Sequence, residues 1–179
     1  MHFFKSLNIK KLKVIELLEP ILEKYCKDNF KNSSDVSVKL LEYKKLLLDA
    51  NQHMNLIGKS TIEDFDQRHF LDCIQIHEYM NEKNNLSIDL GTGAGLPGVL
   101  LSIIGYKNLH LVEKSPKKSA FLENCKLQLG LDFIVHNRTL AEVSLSNVQY
   151  VVARAFAPIA KILSFTRQMV NDQTQYVLL

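Results

Sequence analysis

Asp89-Leu-Gly91-Thr-Gly93-Ala-Gly95 is the stretch that decides the fold. It follows a short apolar run, Leu86-Ser-Ile-Asp-Leu90, that reads as a strand, and it precedes Pro97–Gly105, which reads as a helix opened by proline. Strand, glycine loop and helix together make a ligand-binding turn, because glycines let the backbone bend sharply and approach a ligand with no Cβ between them. A ribose-binding loop of this kind calls for an acid at the end of the next strand. Glu113 stands there, directly after Leu109-His-Leu-Val112. The spacing also selects among cofactors. A dinucleotide fingerprint places its last glycine where Leu96 stands, and a phosphate-binding loop of the Walker type needs a Gly-Lys-Ser/Thr sequence that is absent.

Outward from the loop the periodicity changes near residue 85. Beyond it, strands alternate with helices. Leu109–Val112, Phe133–Val135, Tyr150–Ala153 and Tyr176–Leu179 read as strands, while Pro116–Leu129 and Pro158–Val170 read as helices. This alternation predicts an α/β fold with a parallel sheet covered on both faces. Before residue 85 the pattern is helical. Val14, Leu17, Leu18, Ile21 and Tyr25 share a face that Pro20 should kink. Ser33-Ser-Asp35 should cap a helix over residues 36–50 with Leu40, Tyr43, Leu47 and Leu48 inward, and Thr61-Ile-Glu-Asp64 resembles a capping box opening a helix through Phe65, His69 and Cys73. The expected organisation is a helical extension over residues 1–85 and a core over residues 86–179.

Composition narrows the class. The chain has 179 residues, 46% hydrophobic and 23% charged, as in a globular protein. It carries no apolar run long enough to cross a bilayer and no recognisable leader, so no membrane partner is expected and a cytoplasmic setting is. Cys26, Cys73 and Cys125 are odd in number and lack CxxC spacing, which speaks against a disulfide framework and against a metal site. The net charge of +3 is uneven: residues 1–85 hold 13 basic and 13 acidic side chains, and residues 86–179 hold 9 and 6. The excess is compatible with a polyanionic partner. Lys5, Lys10, Lys11 and Lys13 form one basic cluster. Lys114, Lys117 and Lys118 form another, readable as phosphate contacts or as a solvated face.

Two further segments carry candidate chemistry. Arg154 ends the apolar run 151–153, at the strand end where open α/β sheets bind ligands. It reads either as a cation facing the cofactor carboxylate or substrate, or as an arginine that snorkels out at the sheet edge. Arg68 and Asp72 are four residues apart on one helical face, readable as an exposed ion pair, and His69 between apolar neighbours is readable as a packed core histidine.

The pattern D-x-G-x-G-x-G resembles the first motif of class I S-adenosylmethionine-dependent methyltransferases, a Rossmann-like fold whose loop cradles the amino acid part of that cofactor. The match extends further. Asn51-Gln-His-Met-Asn-Leu-Ile57, Arg68-His-Phe-Leu-Asp-Cys73, Asp89-Leu-Gly-Thr-Gly-Ala-Gly-Leu-Pro-Gly98, Leu111-Val-Glu-Lys-Ser-Pro-Lys-Lys118 and Ala153-Arg-Ala-Phe-Ala157 occur in the order of the bacterial small-subunit rRNA guanine-N7 methyltransferases, the glucose-inhibited division protein B family. The resemblance implies methyl transfer from S-adenosylmethionine to N7 of one guanine in 16S rRNA, with the small ribosomal subunit as partner; a monomer is expected. It implies cofactor contacts from Gly91 and Leu96, beside Asp89, Gly93, Gly95 and Glu113 of the motif, from Ala141 and Glu142 near the adenine, and from Arg154. It also keeps Arg68, His69 and Asp72 near the cofactor loop as positioning candidates, with no catalytic residue assigned. Departures are Ala50, where the family usually has Trp, and a final antiparallel strand pair that the family carries beyond the position of Leu179. Rival readings are a non-catalytic cofactor- or RNA-binding module and a nucleotide-dependent oxidoreductase, the latter disfavoured by Leu96.

Overall fold

The computed structural model describes residues 33–179. The basic cluster Lys5–Lys13, the helical face from Val14 to Tyr25, Pro20 and Cys26 lie outside the described residues. Five parallel strands form the sheet: β1 (Ser87–Leu90), β2 (Leu109–Val112), β3 (Ile134–His136), β4 (Val148–Ala153) and β5 (Val170–Leu178). Their order is β3-β2-β1-β4-β5. The chain winds outward from β1 in one direction, then returns to the other side of β1 for β4. The switch point between β1 and β4 opens a crevice at the strands' C-terminal ends.

β1 and β2 are buried along their whole length, and β4 nearly so, as a parallel sheet with two covered faces requires. One core lies between the sheet and helices α1 (Ser33–Asn51), α2 (Gly98–Ile103) and α3 (Pro116–Leu129), with Leu109, Leu111 and Val152 on the sheet side. The other face, carrying Ile88, Leu90, Val112 and Val151, packs on Ile162 of α4 (Ile159–Thr166) and on Leu140 and Val143. Among the described residues, no helix is long and apolar enough to cross a membrane.

Residues 33–85 share the first core. Leu40, Tyr43 and Leu47 of α1 point inward, as their spacing predicts, whereas Leu48 is only partly buried. Asn51 ends the helix and turns the chain: its side-chain oxygen accepts from the backbone N–H groups of Leu56 (2.8 Å) and Ile57 (3.0 Å). Lys44 binds both carboxylate oxygens of Asp66 at 2.7 Å, tying α1 to the following segment.

That segment departs from expectation. It is a compound helix: a π-helical stretch Asp66–Leu71, an α turn Asp72–Ile74 and a 3-10 turn Gln75–Tyr79. Thr61 does not cap it. The Thr61 hydroxyl instead donates to the Gly58 carbonyl at 2.8 Å and lies 2.8 Å from His69 Nε2. Nor do Arg68 and Asp72 pair. The wider π turn aligns residues five apart rather than four, and among the described residues the ion pairs are Lys39–Asp35 and Lys44–Asp66.

Later boundaries shift in small ways. α3 matches its expected bounds, opened by Pro116 and closed by Gly130 in the left-handed conformation. β3 starts one residue late, because Phe133 turns into the first core. The helix expected over Pro158–Val170 ends at Thr166, whose hydroxyl bonds back to the Ile162 carbonyl at 2.9 Å and to the Tyr176 hydroxyl at 2.8 Å. β5 then begins at Val170, six residues before the expected start at Tyr176. Its register against β4 slips between Val148↔Val170 and Tyr150↔Gln175, where Thr174 donates to the Val148 carbonyl (2.6 Å) across the bulge.

Candidate cofactor site

The glycine loop closes over a buried carboxylate. Asp89 Oδ2 accepts from the Thr92 hydroxyl at 2.5 Å and from the Gly98 N–H at 2.9 Å, while Oδ1 has no hydrogen-bond partner. Burial pushes the Asp89 pKa up to about 6 against these two bonds. Gly98 has to be glycine because a Cβ there would stand 2.7 Å from Asp89 Oδ2 and 2.8 Å from Leu111 Cγ. Gly91 is required twice over. Its φ is +63°, and a Cβ would fall 2.3 Å from Cδ2 of the Phe156 ring. Gly93, at φ +59°, leaves its α-carbon face open, the nearest contact for a Cβ being 3.8 Å away.

Glu113 ends β2 beside this loop, as the spacing predicts. Its Oε2 accepts from the Gly93 N–H at 3.1 Å and its Oε1 from the Ser115 N–H at 2.8 Å. Its backbone carbonyl holds the Ser119 hydroxyl (3.0 Å) and the Asn137 amide (3.1 Å). A cavity of about 470 Å³ opens here across the C-terminal ends of four adjacent strands. Gly91, Glu113 and Ala141 line it, with Val112 and Leu140 supplying an apolar floor and Phe156 a wall.

Other site candidates sit elsewhere. Leu96 is buried under the loop in the first core. Ala141 and Glu142 belong to a single 3-10 turn, Leu140–Glu142. The Glu142 carboxylate closes a capping box on Thr139, accepting from its N–H (2.8 Å) and hydroxyl (2.6 Å), and these bonds lower its pKa. Gly95, at φ +92°, packs where a Cβ would meet Val99 at 2.3 Å.

Arg154 neither lines this cavity nor snorkels outward. It reaches from the end of β4 to the compound helix. Nη2 donates to the Arg68 carbonyl (3.0 Å), and Nη1 lies 3.2 Å from His69 Nδ1 and 3.4 Å from Cys73 Sγ. Burial and the arginine charge lower the His69 pKa to about 4, so the ring is neutral near pH 7. Arg154 has only donors, so His69 Nδ1 must accept and Nε2 carries the proton. That proton goes to the Thr61 hydroxyl, whose own proton goes to the Gly58 carbonyl. One chain of donors therefore runs from β4 through His69 to the Gly58 turn. Asp72 stands outside it.

A second brace comes from α1. The Tyr43 hydroxyl, fully buried, donates to the Ala94 carbonyl inside the glycine loop at 2.7 Å. Sequence reading placed Tyr43 in the core but missed this contact; the signal was a buried phenol, which needs a partner for its hydroxyl. It read Thr61 only as a helix cap, quoted Phe156 without giving it a role, and did not single out Arg138. Phe156 was signalled by its place just past β4.

The residues present fit S-adenosylmethionine. Glu113 offers a carboxylate at the ribose position, Gly93 an open backbone face, Asp89 Oδ1 a buried acceptor under the loop, and Leu140, Ala141 and Phe156 an apolar slot for a purine.

Known proteins bear on the same site. The family model for rRNA small subunit methyltransferase G (GidB) matches residues 37–179. A relative named ribosomal RNA small subunit methyltransferase G from Rhodospirillum rubrum is 37% identical over 131 residues, covering 73% of this chain and 65% of its own length. One of the same name from Orientia tsutsugamushi (strain Ikeda) is 36% identical over 157 residues, covering 84% and 75%. Another from Rickettsia prowazekii is 31% identical over 149 residues, covering 83% and 77%. The chain thus spans just under two thirds of the Rhodospirillum relative. Among solved structures, a putative S-adenosylmethionine-dependent methyltransferase from Methanococcus maripaludis superimposes with TM-score 0.58 at 10% identity, over 75% of this chain and 62% of its own. Magnesium protoporphyrin IX methyltransferase from Synechocystis, with the cofactor bound, gives 0.53 at 12% identity, over 71% and 72%. These two likenesses establish the fold, the class I methyltransferase sheet. The family follows from the sequence matches: this chain belongs to the rRNA small subunit methyltransferase G family.

Proposed function

We propose that the protein transfers a methyl group from S-adenosylmethionine to N7 of a guanine in 16S rRNA, with the small ribosomal subunit as partner, in the cytoplasm and as a monomer. The observation that carries the reading is the pairing of the glycine loop with Glu113 at the mouth of one cavity, in a chain whose relatives are named for small-subunit rRNA methylation. Residues 86–179 form the catalytic core in this reading, and residues 33–85, the described part of the extension expected over residues 1–85, buttress it.

When bound, the cofactor supplies a methyl group on a positively charged sulfur. Guanine N7 has an in-plane lone pair and no hydrogen, so the attack needs no base. The chain's residues then have positioning work to do. Glu113 holds the ribose hydroxyls, the Gly91–Gly95 backbone faces the amino acid part, and Ala141 and Leu140 contact the adenine. Glu142 fixes their turn through Thr139. Asp89 and Leu96 act from beneath the loop. Arg154, with Arg68 and His69, fixes the strap after β4, where Phe156 shields the cavity from water. His69, the histidine of this cluster, is neutral with its Nδ1 already occupied, which agrees with a reaction that removes no proton.

The test is methyl transfer itself. The protein is incubated with labelled S-adenosylmethionine and either small subunits or naked rRNA, and the modified nucleoside is identified. The expected product is 7-methylguanosine in 16S rRNA. Tight cofactor binding without RNA labelling would favour the non-catalytic module instead.

A further inference from the structure

The cofactor cavity is ringed by charge that the cofactor cannot use. Lys114, Lys118 and Arg138 line its outer rim, the first two from the loop after β2 and the start of α3, the third from the loop after β3. Lys114 and Arg138 are exposed and Lys118 is partly so; Lys117 adds a fourth exposed cation alongside. None makes an ion pair with a described residue. The acids nearby are engaged. Glu113 accepts one backbone N–H on each oxygen, which keeps a lone pair on each for the ribose, and Glu142 is held in its capping box, close enough to Arg138 to feel its charge.

These cations surround the adenosine end of the cavity, marked by Glu113 and Ala141. Adenosine is neutral, and S-adenosylmethionine as a whole carries net positive charge. The cofactor therefore does not call for three basic side chains there, and of the three only Arg138 is coupled to an acid, Glu142, without an ion pair between them. Opposite them, Phe165 of α4 lines the same cavity with its side chain about half exposed, at 49%. Loose cations on one rim and an exposed aromatic ring on the other are the parts of a single-strand nucleic acid groove. The cations track phosphates, and the ring stacks a base whatever its identity.

We propose that this rim grips the RNA strand around the target base, with Lys114, Lys118 and Arg138 on backbone phosphates and the Phe165 ring against a base. The inference rests on the methyltransferase reading for its ligand, and names the face of the molecule that the RNA approaches. It sets the RNA over the open mouth of the cofactor cavity, so that strand and cofactor meet at the ends of β1 and β4.

The test measures binding of 16S rRNA over a range of salt concentrations, beside calorimetric affinity for S-adenosylhomocysteine. The variants are Lys114→Gln/Lys118→Gln, Arg138→Gln and Phe165→Leu. The control is Lys45→Gln/Lys107→Gln, which removes two exposed charges elsewhere, Lys107 lying at the opposite end of the strands. The double rim variant should bind RNA at least tenfold more weakly, with the slope of log affinity against log salt reduced by about 1–2. Arg138→Gln should lose about half as much slope. Phe165→Leu should weaken binding with the slope unchanged, as lost stacking requires. Product affinity should stay within about threefold of wild type in all of them. The proposal is overturned if the rim variants lose no more RNA affinity or salt slope than the control pair, or if they lose product affinity to the same extent. A wild type that binds RNA through this rim but transfers no methyl group would sink the enzyme reading and leave the RNA surface standing.

Discussion

Two buried groups under the site titrate in opposite senses over the same pH range, and their opposition can be unmasked. Asp89 has its pKa raised from the ordinary 3.8 to about 6, chiefly by burial. Its folded form binds a proton more readily than the unfolded chain does. Its contribution to stability is therefore fully present below pH 4 and lost as the pH rises through 6. A shift of about two pH units corresponds to roughly 3 kcal/mol. His69 has its pKa lowered from 6.5 to about 4 by burial and by Arg154. Its contribution is present above pH 6.5 and lost as the pH falls toward 4. Screening at its Thr61 end leaves roughly 2 kcal/mol. Between pH 6.5 and 4.5 the two slopes oppose and largely cancel. Denaturant unfolding at half-unit pH steps should show a shallow profile for wild type. Asp89→Asn should expose the histidine slope, with stability falling on acidification. His69→Gln should expose the aspartate slope, with stability rising as acid is added down to about pH 4.5. Three parallel profiles would refute the reasoning, since neither group could then be titrating in the folded state as its surroundings dictate.

Further outcomes follow from the same geometry. Gly91→Ala places a Cβ on the Phe156 ring and forces a side chain onto a φ of +63°, so S-adenosylhomocysteine affinity measured by calorimetry should fall at least tenfold. Arg154→Ala leaves the Arg68 carbonyl and His69 Nδ1 without their donor and should lower unfolding free energy by about 2–3 kcal/mol, with cofactor affinity reduced as well. Tyr43→Phe removes only the hydroxyl and should cost about 1–2 kcal/mol in chemical denaturation, with a measurable loss of cofactor affinity because the lost bond ends inside the loop.

The sheet was legible because its central strands β1, β2 and β4, buried on both faces, are short runs of mostly apolar residues between turn signals, whereas β5 was read only from Tyr176 on because its first part is polar and exposed. Leu109–Val112 and Pro116–Leu129 were readable to the residue, since a proline opens the helix and a left-handed glycine closes it. The loop was legible for the same local reason, glycines at positions with positive φ. Thr61 and Arg154 were less so. Thr61-x-x-Asp64 has the residue types of a capping box, but the chain beyond it is a π-helical stretch stabilised by tertiary partners, and no local pattern announces those. Arg154 looked like a ligand-facing cation because only its own strand was visible. Its three acceptors lie more than eighty residues earlier. Glu142 likewise read as an adenine contact, while its carboxylate is used locally in a cap.

The hydroxyl of Tyr43 on the Ala94 carbonyl makes α1 a thermodynamic partner of the cofactor. A ligand that orders the glycine loop must also hold down the helix that props it, and by reciprocity anything that frays α1 weakens the ligand. Amide hydrogens along α1 should exchange more slowly once cofactor is added, although the helix makes no contact with the cavity. Excising residues 86–179 as a minimal enzyme would remove that prop together with the Arg68–His69 end of the Arg154 brace, leaving a loop with the right sequence and nothing to hold its shape.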